Sequence, residues 1–580
     1  MFATPKKQKG IYENVTKQKA EGATFTPKLL ADFVAIEVVK AAGLIANNDV
    51  INIFDPAIGD GQLLDSLLKH LPKSNIKNIH VYGCETNKNA LNNATTNLST
   101  KYPGISLHLQ LEDFLSYVLG HYGSYDQPGL FDQKPPLKFD LIIANPPYVR
   151  TQILGADKAK ILAREFGLNG RIDLYYAFII GMSKILQPQG VAGIIVSNRF
   201  MTTKSGTAVR KEILKRYKLL KVWDFGDTKL FNASVLPAVL LARGVNGEAT
   251  KEPIFTSIYT SEESPEAQAA NPIVALAAYG VVKLEDGRVF KVQHGILDSG
   301  ESHDSVWRIA TQSNNDWLNT VKAHTWNIFK QIGKIRVGVK TTADKVFIRS
   351  DWQNVTGSKM PELLRPLITH HVARQFKAAK PKMEMEMQIL YPHEVVNGVR
   401  RSVDISLYPN SGKYLFSHRE KLEGREYVIE AGRKWYEIWV PQDPGAWETT
   451  KLVFRDISEK PTFWIDKSGA VVNGDCYWLI SEDGKTDLIW LAAAIANSTF
   501  IELFYDYSFC NKLYAGRRRF ITQYVEKFPL PDPDSAIAKK IIALAKIIYN
   551  KIDSENIDGL KCQIDRLAWQ AFGLIKEIAG

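Results

Sequence analysis

From Thr26 to Leu241, apolar runs alternate with amphipathic ones, and each of the first four apolar runs stops at a polar cluster. Residues 50–54 (VINIF) run into Asp55-Pro56-Ala57-Ile58-Gly59-Asp60-Gly61. Residues 81–84 end at Glu85, residues 107–111 at Glu112-Asp113-Phe114, and residues 139–144 (FDLIIA) at Asn145-Pro146-Pro147-Tyr148. Between them lie runs of helical spacing. One starts with Thr26 as N-cap and Pro27 in the first helical position; another is residues 62–71 and a third residues 174–186. Further strands are predicted at 190–196, 222–225 and 235–241. Short apolar strands separated by helices predict right-handed crossovers and a parallel sheet covered on both faces. In such an α/β sheet ligands bind at the carboxyl ends of the strands, where all four polar clusters fall.

The chain has 580 residues, so at roughly 100–200 residues per domain it holds about two to four domains. With 45% apolar and 23% charged residues it is neither a disordered chain, a fibrous repeat nor a disulfide scaffold. Cys84, Cys476, Cys510 and Cys562 stand far apart with no CxxC pair, which fits a reducing compartment and no zinc knuckle. His370-His371 has no Cys or His partners at ligand spacing, so no metal is expected. The N-terminus has charge without an apolar core, and residues 488–496 are too short an apolar stretch to span a bilayer. A cytoplasmic protein without a membrane partner is expected. The net charge of +11 suits a polyanionic partner, since neutralising phosphates releases counterions.

The first cluster has neither GxGxxG spacing nor a following Lys-Ser/Thr, so it is not a dinucleotide or phosphate loop. Asp55 and Asp60 would repel a phosphate and attract a cation. Glu85 is placed to accept hydrogen bonds from a ribose diol, and Asp113 from an adenine amino group, although either Asp55 or Asp113 taken alone also reads as a helix cap. The ligand described by the set is a nucleoside carrying a cation, as in S-adenosylmethionine. In the fourth cluster two prolines stiffen the loop. Asn145 offers a side-chain carbonyl and Pro146 a backbone carbonyl, which together can accept both hydrogens of an exocyclic amine. Tyr148 can stack on the ring that bears it.

On these residues the chain resembles the N6-adenine DNA methyltransferases of the TaqI-like group, in which the cofactor motifs precede NPPY. Thr24-Phe25-Thr26-Pro27 resembles that family's N-terminal cofactor motif, Asp55–Gly61 its Gly-rich loop, Glu85 its ribose-binding acid and Asp113-Phe114 its adenine contact. The resemblance implies a Rossmann-like S-adenosylmethionine-dependent methyltransferase domain over 23–245 behind a basic arm at 1–22. A mixed α+β target-recognition domain over 246–533 and a helical segment over 534–580 follow. It implies Asn145, Pro146, Pro147 and Tyr148 as catalytic residues. The implied cofactor contacts are Thr26, Pro27, Asp55, Pro56, Ala57, Gly59, Gly61, Glu85, Asp113, Phe114, Asn145 and Phe178. Phe231, in LFNASVLPAVLL, would pack on the extruded base opposite Tyr148, or is a plain core residue. The reaction implied is methylation of a flipped-out adenine at N6 in double-stranded DNA, with any cognate restriction endonuclease on a separate chain.

After Arg243 the alternation ends, and residues 246–272, rich in Glu, Ser and Pro, read as a linker or surface excursion. Lys334, Arg336 and Lys340 alternate in a strand-like segment that could face a groove. Arg517, Arg518 and Arg519, between Tyr514 and Phe520, are either phosphate contacts or a solvated charge run. The helices after 534 would clamp or support the recognition domain. Methylation of RNA or of a protein glutamine is the alternative chemistry, and the long basic, aromatic second half argues against it.

Overall fold

The computed structural model describes residues 26–43, 50–72, 78–123, 137–149, 156–168, 173–231, 235–245, 252–300, 305–382, 386–509, 513 and 516–575. The arm expected over 1–22, together with Thr24, Phe25, Cys510 and Tyr514, lies outside them.

Among the described residues the first compact unit is built on a sheet of 12 strands. Its first seven are β1 (Ile51–Asp55), β2 (Ile79–Glu85), β3 (Ser106–Leu111), β4 (Phe139–Ala144), β5 (Leu186–Ser197), β6 (Tyr217–Asp224) and β7 (Pro237–Gly244). They lie in the order β3-β2-β1-β4-β5-β7-β6. The first five are parallel, and β7 is antiparallel to both its neighbours. Ile53 pairs with Val81 on one side and Leu141 on the other, which sets the central register. The strands β1, β4 and β7 are almost wholly buried along their length, as strands covered on both faces are. The helices that position the site are α1 (Lys28–Ala42), α2 (Gln62–His70), α3 (Lys88–Lys101), α4 (Phe114–Tyr122) and α5 (Leu174–Ile185).

Helix α1 buries Leu30, Ala31, Val34, Ala35 and Val38. It lies so close to β5 that a Cβ on Gly193 would stand 2.5 Å from Val38 Cγ2 and 2.8 Å from Val34 Cγ1. The start of this helix differs from expectation. It begins at Lys28 with Pro27 in the N-cap position, and no side chain caps it. The Thr26 hydroxyl is committed elsewhere, as described below.

The region expected to be a linker continues the sheet. β8 (Ile254–Thr260) pairs in parallel with β6. β9 (Ala267–Ala269), β10 (Gly280–Leu284), β11 (Val289–Asp298) and β12 (Arg308–Ala310) extend it further. The first unit therefore runs through Thr311 and takes in Gly516 as well. Within it β8 pairs with β6 and β11, and β9 with β10.

The second unit begins at Gln312. It carries a five-stranded sheet in which Lys451–Arg455 lies between Cys476–Leu479 and Phe463–Asp466, and a four-stranded sheet that includes Leu364–Ile368 and Gln388–Leu390. Trp352, Trp447, Trp464 and Trp478 are buried at its centre. The C-terminal helices Ala536–Lys551 and Asp558–Ala571 pack on Thr486–Ala496 and so belong to this unit. Residues 488–496 are all buried, and no single helix among the described residues is long and apolar enough to cross a membrane.

Candidate active site

The chain leaves β1 toward β2 and β3 on one side, then returns to β4 on the other, so the sheet's topological switch lies between β1 and β4. Such a switch leaves a crevice at the carboxyl ends of the strands. A cavity of about 420 Å³ occupies it. Thr26, Pro56, Ala57, Gly59, Glu85, Asp113, Phe114, Asn145, Pro146, Pro147 and Phe178 all line it. Three expected contacts, Pro27, Asp55 and Gly61, are not on its wall; they shape the segments that are.

The loop after β1 is built by backbone hydrogen bonds. Asp55 Oδ1 accepts the Ala57 N–H at 2.9 Å, the Ile58 N–H donates to the Cys84 carbonyl at 3.2 Å, and Gly59 and Gly61 take φ of +57° and +81°. Glycine reaches those angles without a Cβ penalty. Gly83 is required for another reason, since a Cβ there would lie 2.6 Å from the Asp55 carbonyl oxygen. Glu85 closes the loop: its Oε2 accepts the Gly59 N–H at 2.8 Å and its Oε1 the Asn87 N–H at 2.7 Å. An ionised carboxylate has about four acceptor sites, so one on each oxygen remains for a ligand.

Asp55 itself is fully buried, and its Oδ2 has no hydrogen-bond partner among the described residues. Burial pushes its carboxyl up to about 7, opposed by the Ala57 N–H and reinforced by the negative charges of Glu85 and Asp60. The loop thus holds an uncompensated acidic group beneath the cavity. Asp113 does two things at once. Its Oδ1 caps α4 by accepting from the Ser116 N–H at 2.9 Å and the Ser116 hydroxyl at 3.1 Å, and the residue also lines the cavity. Phe54, Phe114 and Phe178 form an aromatic wall with ring centroids 5.7 and 5.1 Å apart along the series.

At the end of β4, Asn145 Nδ2 donates to Thr26 Oγ1 at 3.0 Å, and the Tyr148 hydroxyl donates to Asn145 Oδ1 at 2.9 Å. Neither contact was visible in the sequence. Burial raises the Tyr148 phenol further above its ordinary range, so it stays a proton donor. The loop is tied to α5 by the Leu174 N–H, which donates to the Val149 carbonyl at 2.9 Å, and the Tyr148 ring meets Tyr175 edge-on at 5.9 Å.

Phe231 is not brought to the cavity. It is 4% exposed and belongs to the hydrophobic core of the first unit. Asp60, expected to favour a cation, also lines the cavity, as do Ile58 of the same loop and Gln62, Leu63, Cys84, Thr86, Asn87, Glu112 and Leu174, which were not singled out as contacts. Most flank residues that were chosen, so counting one or two positions beyond each strand end would have found them.

In the second unit the three consecutive arginines have different fates. Arg518 forks onto Asp506 at 2.8 and 2.9 Å with its side chain 11% exposed, and Arg519 forks onto Asp456 at 3.0 Å on both nitrogens. Arg517 is the exposed member. Lys334 and Lys340 are exposed, while the Arg336 guanidinium lies 5.3 Å from the centre of the Trp478 ring. Arg518→Ala should therefore cost stability, about 3 kcal/mol in urea unfolding, because it breaks the largely buried forked ion pair with Asp506. Arg517→Ala should leave the unfolding curve in place. If both variants unfold alike, this division of roles is wrong.

The doubly wound sheet, with its antiparallel seventh strand and its polar clusters at the switch point, is followed in the chain by a mixed α+β unit. Residues 63–231 match the Eco57I restriction-modification methylase family, and residues 400–530 the TaqI-like C-terminal specificity domain. The chain is 36% identical to the type II methyltransferase M.BanIII of Aneurinibacillus aneurinilyticus over 97% of its own length and 99% of that protein's. It is 23% identical to M.BstVI of Geobacillus stearothermophilus, covering 96% and 98% of the two chains. Among solved structures it is similar to the type IIL restriction-modification enzyme MmeI in complex with DNA, with a TM-score of 0.58 at 14% identity over 97% of this chain and 78% of that one. The chain belongs to the type II restriction–modification DNA methyltransferases.

Proposed function

We propose that this enzyme transfers a methyl group from S-adenosylmethionine to N6 of an adenine flipped out of a specific double-stranded DNA sequence. In a restriction–modification system it would protect DNA in the cytoplasm from a cognate endonuclease carried on another chain. The observation that supports this best is that Asn145 and Pro146 share one cavity wall with Glu85 and Asp113. The acceptors for an amine and the acceptors for a nucleoside thus border the same space.

The residues suit that cofactor. Glu85 keeps acceptor capacity for ribose hydroxyls, Asp113 for an adenine amino group, and Phe114 and Phe178 offer faces to a ring. The buried acid of Asp55 suits a positive charge and no phosphate. When bound, S-adenosylmethionine supplies a methyl group on a sulfonium, a leaving group that needs no further activation. Asn145 Oδ1 and the Pro146 carbonyl would accept hydrogen bonds from the two amine N–H groups, turning the conjugated lone pair out of the ring toward the incoming methyl; the thioether would leave as the N–C bond forms, and the methylated nitrogen would then release one proton to water. Tyr148 would stack on the extruded base, whose removal from the duplex costs a few kcal/mol. Phe231, as placed in the core, is not proposed for the opposite face.

The second unit, with its TaqI-like specificity segment, would read the sequence. Lys334, Lys340 and Arg517 are proposed to meet phosphates, and Arg336 to act from its perch on Trp478. Replacing Arg517 with Ala should reduce the salt slope of DNA binding by about 1. The test of the whole reading is nucleoside mass spectrometry and sequencing of DNA from cells expressing the protein. N6-methyladenine at one recurrent sequence is expected; N4-methylcytosine would refute the adenine assignment.

A further inference from the structure

The two ends of the Asn145 amide have nearly the same shape and opposite chemistry. Oδ1 can accept a hydrogen from the target amine; Nδ2 can only present hydrogens of its own. A half-turn about the side chain would exchange them and place a donor against a donor. Some contact has to fix the orientation.

We propose that Thr26 is the positioning residue that does so, an inference resting on the amine-methylating reading of the site. Three observations carry it. The Thr26 hydroxyl lies 3.0 Å from Asn145 Nδ2 across 119 residues of sequence. That hydroxyl is withheld from the role its place before Pro27 suggests, since no side chain caps α1. The opposite end of the amide, Oδ1, receives the Tyr148 hydroxyl at 2.9 Å, and a phenol is a better donor than acceptor. The amide is thereby set with its carbonyl oxygen on the Tyr148 side.

The two contacts differ in durability. On the proposed reading Tyr148 stacks on the base and would adjust when a base enters. Thr26 holds the end of the amide away from the reacting atom. It stands at the head of α1, which is wedged against Gly193 of β5, the strand paired with β4. Thr26 and Asn145 therefore share one rigid frame, and the Thr26 bond persists while the Tyr148 bond is shared or given up.

The test is single-turnover methylation at saturating S-adenosylmethionine and cognate DNA, with cofactor affinity measured separately by calorimetry. Thr26→Val should slow transfer at saturating cofactor about tenfold, the worth of one hydrogen bond, with DNA affinity within about twofold of wild type. Thr26→Ser should recover most of the rate. Added to Asn145→Ala, Thr26→Val should slow transfer no further. Thr26→Ala replaces the valine variant if the latter melts early. A wild-type rate at saturation, with or without a loss of cofactor affinity, overturns the proposal while Asn145→Ala remains slow. Full additivity in the double variant overturns it as well. If Asn145→Ala is itself as fast as wild type, the underlying reading of the site fails, and Thr26 with it.

Discussion

Asn145→Ala is expected to lower the single-turnover rate of methyl transfer by roughly a hundred- to thousandfold, the usual worth of one hydrogen bond made to the reacting group in the transition state. DNA affinity should hardly change, because the residue lies on the cavity wall of the first unit and Arg517, Lys334 and Lys340 are in the second. Tyr148 gives a graded comparison. Tyr148→Phe loses the donor to Asn145 Oδ1 but keeps the ring, and Thr26 still holds the other end of the amide. It should stay within about tenfold of wild type. Tyr148→Ala loses the ring and about 1–3 kcal/mol of base stacking. A 2-aminopurine at the target position reports the flipped state by fluorescence and should show the alanine variant failing to trap it. Near-wild-type transfer by Asn145→Ala would remove the mechanism, and equal damage in the two Tyr148 variants would shift the tyrosine's role from its ring to its hydroxyl.

The parts of this site that the sequence made legible are those governed by local rules. Phe139–Ala144 forms the predicted strand because a six-residue apolar run stopped by Asn-Pro-Pro has few other solutions. The clusters after β1, β2 and β4 line the cavity because a parallel sheet presents all its carboxyl ends on one edge. What was not legible depends on partners remote in sequence. Thr26 looked like a helix cap, and its true partner is 119 residues away. Arg518 and Arg519 looked available to phosphates, yet Asp506 and Asp456 had already claimed them. The segment 246–272 read as a linker or surface excursion since strands as short as β8 and β9 on the flank of a sheet carry little periodic signal of their own. Phe231 shows the same limit in reverse: the motif around it is mostly apolar, and apolar context marks a core as well as it marks a stacking partner.

Asp55 links stability and ligand binding to pH in opposite directions. Its carboxyl has an ordinary value near 3.8 and is pushed up to about 7 in the folded protein, with burial as the leading cause. The unfolded chain releases this proton near 3.8 while the folded chain keeps it, so the folded state's advantage is full below 3.8 and is lost as pH rises to about 7. Over the interval from pH 5.5 to 8 the loss should be about 2 kcal/mol in urea unfolding of the ligand-free protein. Asp55→Asn keeps an Oδ1 for the Ala57 N–H but has no charge to bury, and its stability should lack this decline. Binding runs the other way. A cationic ligand favours the ionised carboxyl, so the affinity for the sulfonium cofactor proposed here should climb with pH and level off above about 7, releasing a proton as it binds. S-Adenosylhomocysteine, which lacks the sulfonium charge, should show a shallower rise, and Asp55→Asn should bind the cofactor weakly with little pH dependence. Calorimetry in two buffers of different ionisation enthalpy measures the proton directly. Should Asp55→Asn match wild type in both affinity and pH slope, the buried acid is not what selects a cation, and its place in the loop would need another reason.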